Sequence, residues 1–251
     1  MLVKLKKIAN NLVGRIGLDT DKRRTTWVQE KLMSLPAGGR ILDAGAGSKI
    51  FQKYCSHLKY VSQDFGEYDG EQTGDGLAEK DASTIAGASD WDIVSDIIKI
   101  PEPDGSFDAI LCTEVFEHLP DPISAIKEFS RLLKSGGKLI ITAPFVSGAH
   151  MTPFHFYSGF NKYFYENNLG KFGFGIKELT PNGNFFMLLA QEIRRLPFMA
   201  KEYSGHRLMP WDYLPIIWML FLLRKTNKKD KKSAGFMSFG YCVVAEKKTT
   251  N

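Results

Sequence analysis

The chain has 251 residues, 43% of them hydrophobic, which is enough to bury a sizeable core and indicates an ordinary soluble protein of one domain with an appendage. Its formal net charge of +5 equals the charge of the single run from Arg224 to Lys232, so the rest of the chain is formally neutral. A protein that binds nucleic acid needs basic residues along a whole face, so no nucleic-acid partner is expected. The run forms either one local basic patch or a solvated lysine-rich loop.

The three cysteines lie far apart without a CxxC pair, which favours a reducing compartment over a disulfide framework. Residues 1–16 carry lysines but lack the continuous apolar stretch that a secretory signal needs. We therefore expect a cytoplasmic protein that is not exported.

Apolar runs and helical patterns alternate along the chain, which is typical of a doubly wound parallel sheet with helices on both faces. The first half of the chain is predicted to contain a helix over 26–35, a strand over 40–44, a helix over 50–57, and strands over 60–64, 91–94 and 107–112. A helix from 121, ended by the glycines at 136–137, and a strand over 138–142 follow. The last predicted elements are a helix over 185–196, an apolar run over 211–223 and a strand over 238–246. The predicted domains are an N-terminal helical cover over 1–37, a core over 38–182 plus 237–248, and a helical insertion with the basic loop over 183–236.

The most informative stretch is the first strand, which runs directly into a turn containing Gly45 and Gly47. Glycine lets a backbone approach a bound molecule closely. In such a sheet, ligands bind at the carboxyl ends of the strands, where Asp64 ends the second strand. A carboxylate at that point can accept hydrogen bonds from both hydroxyls of a ribose, although Asp64 can also be a turn residue before Gly66.

The third position of the glycine turn distinguishes between nucleotides. A dinucleotide fingerprint requires GxGxxG, and the third glycine is replaced here by Ile50. This β-branched residue disfavours NAD or FAD and favours a ligand without phosphates. An NAD-dependent oxidoreductase therefore remains only an alternative.

Five segments, in order between residues 40 and 145, resemble the class I S-adenosylmethionine-dependent methyltransferases, in particular the type 11 family that acts on small molecules. The segments are 41–47, Asp64, 95–110, 114–122 and 132–139. The resemblance implies a Rossmann-like, mostly parallel seven-stranded sheet with an antiparallel last strand, and S-adenosylmethionine as the cofactor.

The resemblance also implies a role for each matching residue. Asp43, Gly45 and Gly47 of the first motif are expected to bind the cofactor, with the two glycines under its methionine part, and Asp64 holds the ribose. The remaining residues are Asp96 and Ile97 at the adenine, Thr113 and Glu114 on the path toward the sulfonium, and Glu117 and His118 at the helix start and the wall of the site.

Methyl transfer to a hydroxyl needs a base, and three of the five histidines are close to the expected site. His150 and His155 follow the fifth strand, where this fold presents acceptor-binding residues, and His118 follows the fourth. Each can instead be a packed loop histidine. No metal site is predicted.

The acceptor is expected to be a small molecule or a glycan. The chain lacks an Asn-Pro-Pro-Tyr-like tetrad and a Pro-Cys nucleophile, and Cys112 belongs to a predicted core strand. Residues 182–186 are weakly similar to methyltransferases encoded with cell-surface polysaccharide pathways, which favours a saccharide hydroxyl over a nitrogen or carbon acceptor. The oligomeric state is not predicted.

A peripheral contact with an anionic membrane, at the inner face of the cell membrane, is a further expectation. The apolar run over 211–223 is too short to span a bilayer, but its basic flank suits the membrane interface. Leu5, Ile8, Leu12 and Ile16 give the N-terminal segment one apolar face, which can equally cover the core. A noncatalytic, membrane-associated cofactor-binding protein is thus the other alternative.

Overall fold

The structure is a computed structural model that describes residues 12–67 and 90–249. The chain divides into two compact units. The described residues of the first, the sheet unit, are 24–67, 90–180 and 240–249, and those of the second, the helical unit, are 12–23 and 181–239. The boundary between the two units falls after residue 23, whereas the sequence predicted one N-terminal helical cover over residues 1–37. The three-part domain division stays a prediction.

One seven-stranded sheet forms the centre of the sheet unit. Its strands are β1 Arg40–Ala44, β2 Lys59–Asp64, β3 Ile93–Val94, β4 Phe107–Thr113, β5 Leu133–Pro144, β6 Phe174–Asn182 and β7 Gly240–Lys247. The strand order is β3-β2-β1-β4-β5-β7-β6. Strands β3, β2, β1, β4 and β5 pair in parallel, and β7 runs antiparallel to β5, which confirms the predicted fold class.

Five α-helices lie wholly within the described residues: α1 Thr20–Met33, α2 Pro122–Leu132, α3 Lys162–Lys171, α4 Phe185–Ser204 and α5 Tyr213–Asn227. Helix α2 begins as the sequence predicted, because the Asp121 side chain accepts hydrogen bonds from the backbone N–H groups of Ile123 and Ser124. The helix predicted over 50–57 is wrong. Only a short 3-10 turn, Gln52–Tyr54, forms there, and it ends where Cys55 leaves the helical region with φ −107° and ψ +18°.

Both faces of the sheet are buried, because neighbouring residues of a strand point to opposite sides. Ile110 and Cys112 of β4 belong to one apolar cluster, while Ala109 and Leu111 belong to another. This arrangement leaves the carboxyl ends of the parallel strands as the edge at which polar side chains collect.

The helical unit has its own apolar cluster, formed by α4, α5 and the N-terminal segment. Its buried members are Val13, Ile16, Ala190, Leu220 and Leu223. Of the predicted N-terminal apolar face, Ile16 is buried and Leu12 is exposed, while Leu5 and Ile8 lie outside the described residues. Within the described ranges, no helix is both long enough and apolar enough to cross a membrane.

The opposite side of α5 is apolar and exposed. We call Leu214, Trp218, Phe221 and Leu222 the apolar face of α5. The exposed fraction of Leu214 is 67% and that of Trp218 is 60%. These positions recur at helical spacing, so the exposed side of the helix is as apolar as its buried side.

Candidate functional site

The two glycines of the turn after β1 serve different purposes. Gly45 has a φ of +74°, and a Cβ added there would lie 2.5 Å from Cγ2 of Val115, so packing within the protein requires this glycine. Gly47 has a φ of +48°, and a Cβ there would meet nothing within 4 Å. Open space therefore lies above Gly47 and not above Gly45, although the sequence assigned both glycines to the ligand.

Asp64 connects the tip of β2 to the glycine turn. Its Oδ2 accepts a hydrogen bond from Gly47 N at 2.9 Å, and its Oδ1 accepts one from Gly66 N at 3.1 Å. A carboxylate has about four lone-pair positions, so two accepted bonds leave capacity for a ligand. Asp64 is thus the turn residue before Gly66 and also remains able to accept ribose hydroxyls.

Asp43 lies beneath the turn and is only 2% exposed. The Tyr60 hydroxyl donates a hydrogen bond to its Oδ2 at 2.6 Å. Burial raises the pKa of Asp43 to about 7, against the lowering effect of the Tyr60 hydrogen bond. Asp43 is therefore a core residue held by Tyr60, although the sequence assigned it to the cofactor.

The next strand tip contributes Asp96 and Ile97. Asp96 is exposed and its Oδ1 accepts a hydrogen bond from Ile98 N at 3.1 Å, while Ile97 is buried. The buried Gln63 joins this loop to the glycine turn, because its Nε2 donates to Ser95 O at 2.6 Å and its Oε1 accepts from Gly45 N at 3.3 Å. Sequence reasoning did not single out Gln63, although a polar residue in a buried strand is a usable signal.

The tip of β4 carries a strained backbone. Glu114, directly after Thr113, has a φ of +52°, an uncommon value for a residue other than glycine, and such strain concentrates at functional sites. Its N–H donates to Thr142 O at 2.8 Å. Its Oε2 forms an ion pair with Arg24 Nη1 at 2.6 Å. Nothing in the sequence pairs residues 90 positions apart, so Arg24 was not predicted.

The three candidate bases lie together, and we call them the histidine cluster. The ring of His150 lies 4.8 Å from the ring of His118 and 4.8 Å from that of His155, while the rings of His118 and His155 are 6.0 Å apart. Burial lowers the pKa of His118 to about 4, and it also lowers the pKa of His155. Ser147 Oγ lies 3.2 Å from Nε2 of His155.

Next to the histidine cluster lies Glu117, whose exposed fraction is 1%. Burial and the nearby charge of Glu114 raise the pKa of Glu117 well above its usual range. Its Oε2 has no hydrogen-bond partner among the described residues, nor does Oγ1 of buried Thr142 or the hydroxyl of buried Tyr165. Unpaired buried polar atoms are costly, so this region needs a physical explanation.

Comparison with known proteins finds a family that matches part of the chain. Residues 42–141 match the family described as a methyltransferase domain. The ubiquinone biosynthesis O-methyltransferase of Xanthomonas oryzae is 32% identical over 113 residues, which cover 42% of this chain and 43% of that protein. The Pseudomonas aeruginosa protein of the same name is 28% identical over 126 residues, covering 49% and 51%. The chain thus spans about half the length of the curated relatives it matches.

A solved structure gives the same fold. The phosphoethanolamine N-methyltransferase 2 of Haemonchus contortus, solved in complex with S-adenosyl-L-methionine, has a TM-score of 0.52 at 17% identity and covers 91% of this chain and 53% of its own. At that identity the likeness concerns the fold. Residues 42–141 therefore match a methyltransferase domain, and the fold is that of a solved methyltransferase that binds S-adenosyl-L-methionine.

Proposed function

We propose that the chain transfers the methyl group of S-adenosylmethionine to a hydroxyl oxygen of a small-molecule or lipid-linked acceptor, with a saccharide hydroxyl as the preferred target. The histidine cluster carries this proposal. Its rings lie within 6.0 Å of one another, on segments that follow the carboxyl ends of β4 and β5. The curated relatives named O-methyltransferases support oxygen as the methylated atom.

The chemistry needs a base near the acceptor and little else. The acceptor oxygen forms a bond to the methyl carbon while the bond from that carbon to sulfur breaks, and the sulfonium leaves as a neutral thioether. Positioning the two reactants in line provides most of the acceleration. The hydroxyl proton passes to an imidazole nitrogen, and we assign this role to His155.

Aromatic side chains beside His155 favour a saccharide. Phe156 and Tyr157 have exposed fractions of 48% and 38%. Flat aromatic surfaces pack against the C–H faces of a sugar ring, while imidazole and hydroxyl groups bind its hydroxyls. Phe154, next to His155, packs edge-to-face on Phe65 with the ring centroids 5.2 Å apart, and this contact stabilises the segment that carries His155.

Transfer of labelled methyl groups tests the proposal. The purified chain is incubated with labelled S-adenosylmethionine and, in separate reactions, monosaccharides, nucleotide sugars and lipid-linked saccharides. We expect an O-methyl sugar after acid hydrolysis, and a rate about 100-fold lower in His155→Ala, with His206→Ala as the matched control. Label on nitrogen or carbon contradicts the oxygen acceptor. Cofactor binding without transfer to any acceptor favours the noncatalytic alternative, and calorimetric binding of NAD in place of S-adenosylmethionine favours the oxidoreductase.

We further propose that the helical unit contacts an anionic membrane, the surface that would carry a lipid-linked acceptor. The supporting observation is the apolar face of α5, since a patch that includes Trp218 and Leu214 is unusual on a protein surface. Lys225 lies in the last turn of α5, and Lys228, Lys229, Lys231 and Lys232 follow it. Each such lysine contributes about 1 kcal/mol near an anionic surface.

Flotation with vesicles tests this contact. At low salt we expect the chain to float with vesicles that contain anionic lipid and not with neutral vesicles. Trp218→Ser should reduce flotation, whereas Tyr163→Ser, at an equally exposed aromatic of the sheet unit, should not. Equal flotation of both variants, or none with anionic vesicles, would contradict the proposal.

A further inference from the structure

Glu117, His118 and His150 present three potential metal ligands to one point. One donor atom from each residue lies within 4.8 Å of the other two. Glu117 and His118 belong to the short 3-10 turn Phe116–His118 after β4, and His150 belongs to the segment after β5. The parallel pairing of β4 with β5 thus brings residues more than 30 positions apart to the same point.

The second ring nitrogen of each histidine is already held. Nδ1 of His118 lies 2.6 Å from Phe154 O, and Nδ1 of His150 lies 2.9 Å from Gly148 O. A carbonyl oxygen only accepts, so Nδ1 carries the proton in both rings and Nε2 keeps a free lone pair. Metal-ligating histidines are typically oriented in this way by a carbonyl on the opposite nitrogen.

Glu117 supplies a buried carboxyl group. Its side chain is almost completely buried, and Oε2 has no hydrogen-bond partner in the described part of the chain. Its Oε1 lies 3.8 Å from Nε2 of His118, which is too long for a hydrogen bond. Burial disfavours the ionised form of this carboxyl group, and a bound cation would stabilise the carboxylate.

We propose that Glu117, His118 and His150 bind one divalent cation of the zinc class. Two imidazole nitrogens and one carboxylate oxygen form the donor set of catalytic zinc sites, whereas magnesium prefers oxygen ligands. Three protein ligands leave a coordination position open. Donor atoms of a tetrahedral zinc site lie roughly 3.4 Å apart. The present donor atoms lie within 4.8 Å of one another, so ligation requires them to approach by up to about 1.4 Å.

The open coordination position can bind the oxygen of the acceptor, a role that rests on the proposed function. A hydroxyl bound to a divalent cation loses its proton more easily, because the cation stabilises the alkoxide. The ion would therefore hold the acceptor oxygen and assist its deprotonation, with His155 receiving the proton. The sequence alone did not predict a metal site.

Metal binding is measured directly on the full chain after chelator treatment, with Zn²⁺ alone and with Co²⁺ as a spectroscopic probe. We expect about one Zn²⁺ per chain and a visible Co²⁺ spectrum of a site with nitrogen ligands. His150→Ala changes a half-buried residue and Glu117→Gln keeps the side-chain shape. Each should weaken Zn²⁺ binding roughly tenfold or more, with His206→Ala as the unchanged control.

Two outcomes overturn the inference: no stoichiometric Zn²⁺ in the wild-type chain, or equal affinity in wild type and both variants. Calorimetry with S-adenosylmethionine on the same samples reports whether each variant keeps its folded cofactor site. Methyl transfer without metal binding contradicts this inference alone. Metal binding without methyl transfer to any acceptor contradicts the proposed function alone.

Discussion

The carboxylate of Asp64 accepts a hydrogen bond from the backbone N–H of Gly47, with Oδ2 2.9 Å from the nitrogen. The acidic residue at the end of β2 therefore fixes the conformation of the glycine turn at the end of β1. The same carboxylate has lone pairs left for a ligand, so turn geometry and cofactor binding depend on one side chain.

Replacing Asp64 by Asn should weaken S-adenosylmethionine binding by roughly 10-fold to 100-fold, which corresponds to the 1.5–3 kcal/mol of hydrogen bonds to a charged group. The amide keeps the shape but has only one acceptor oxygen. Isothermal titration calorimetry measures the change. Asp104→Asn, on an exposed carboxylate paired with Arg131, is the matched control, and equal losses in both variants would contradict the assigned role.

The two glycines of the turn should respond differently to alanine. Gly45→Ala places a Cβ 2.5 Å from Val115 and should lower the free energy of unfolding by about 2 kcal/mol or more. Gly47→Ala meets no neighbour and should cost only about 1 kcal/mol, from its positive φ, while weakening cofactor binding.

Urea unfolding and calorimetry separate these two effects. The double variant Gly45→Ala/Val115→Ala removes the side-chain atoms that the new Cβ would meet. It should therefore recover part of the stability that Gly45→Ala loses. The assignment fails if Gly47→Ala is the less stable variant or if the double substitution gives no recovery.

Sequence reasoning found the local features and missed those that depend on tertiary contacts. The cap of α2 at Asp121 and the strand Arg40–Ala44 follow from short patterns, and the structure confirms both. Helix α3, with polar and aromatic residues but no continuous apolar stripe, was not predicted. Strand β6 was also not predicted.

The site shows the same difference between local features, which the sequence predicted, and tertiary contacts, which it did not. The sequence predicted that Gly47, Asp64 and the histidines lie at one edge of the sheet, because the carboxyl ends of parallel strands meet there. It could not reveal that Gly45 packs on Val115 or that Arg24 pairs with Glu114, since each depends on side chains that meet only in the folded chain.

Asp43 should make the stability of the chain depend on pH. Its pKa is about 7 in the folded chain and near 3.8 when unfolded, so the folded state holds the proton over that interval. Stability should therefore fall as pH rises from about 4 to above 7, by on the order of 4 kcal/mol from this group. Asp43→Asn keeps an acceptor for Tyr60 and removes the titration.

The urea concentration at the unfolding midpoint is measured at several pH values for wild type and Asp43→Asn, and the two proteins are compared at each pH. The variant should gain stability relative to wild type above pH 7 and lose that advantage near pH 4. A difference that is constant with pH would show that Asp43 titrates normally. Glu117 also has a raised pKa and contributes the same trend to both proteins, so the difference isolates Asp43.

Arg194 should hold the N-terminal segment within the helical unit. Its Nε donates to Ile16 O at 2.8 Å and its Nη2 donates to Gly14 O at 2.9 Å, so one guanidinium satisfies two backbone carbonyls. Lysine keeps the charge but cannot reproduce this fork. Arg194→Lys should therefore free the segment and cost about 1–3 kcal/mol locally.

Limited proteolysis detects that local loss, because cleavage follows the population of the opened segment. We expect cleavage near residue 15 to accelerate about tenfold or more in Arg194→Lys, as 1.4 kcal/mol corresponds to a factor of ten. Arg207→Lys, on an exposed arginine of the same unit, should cleave like wild type. Equal cleavage of all three proteins would mean that the apolar contacts of Val13 and Ile16 retain the segment without the guanidinium.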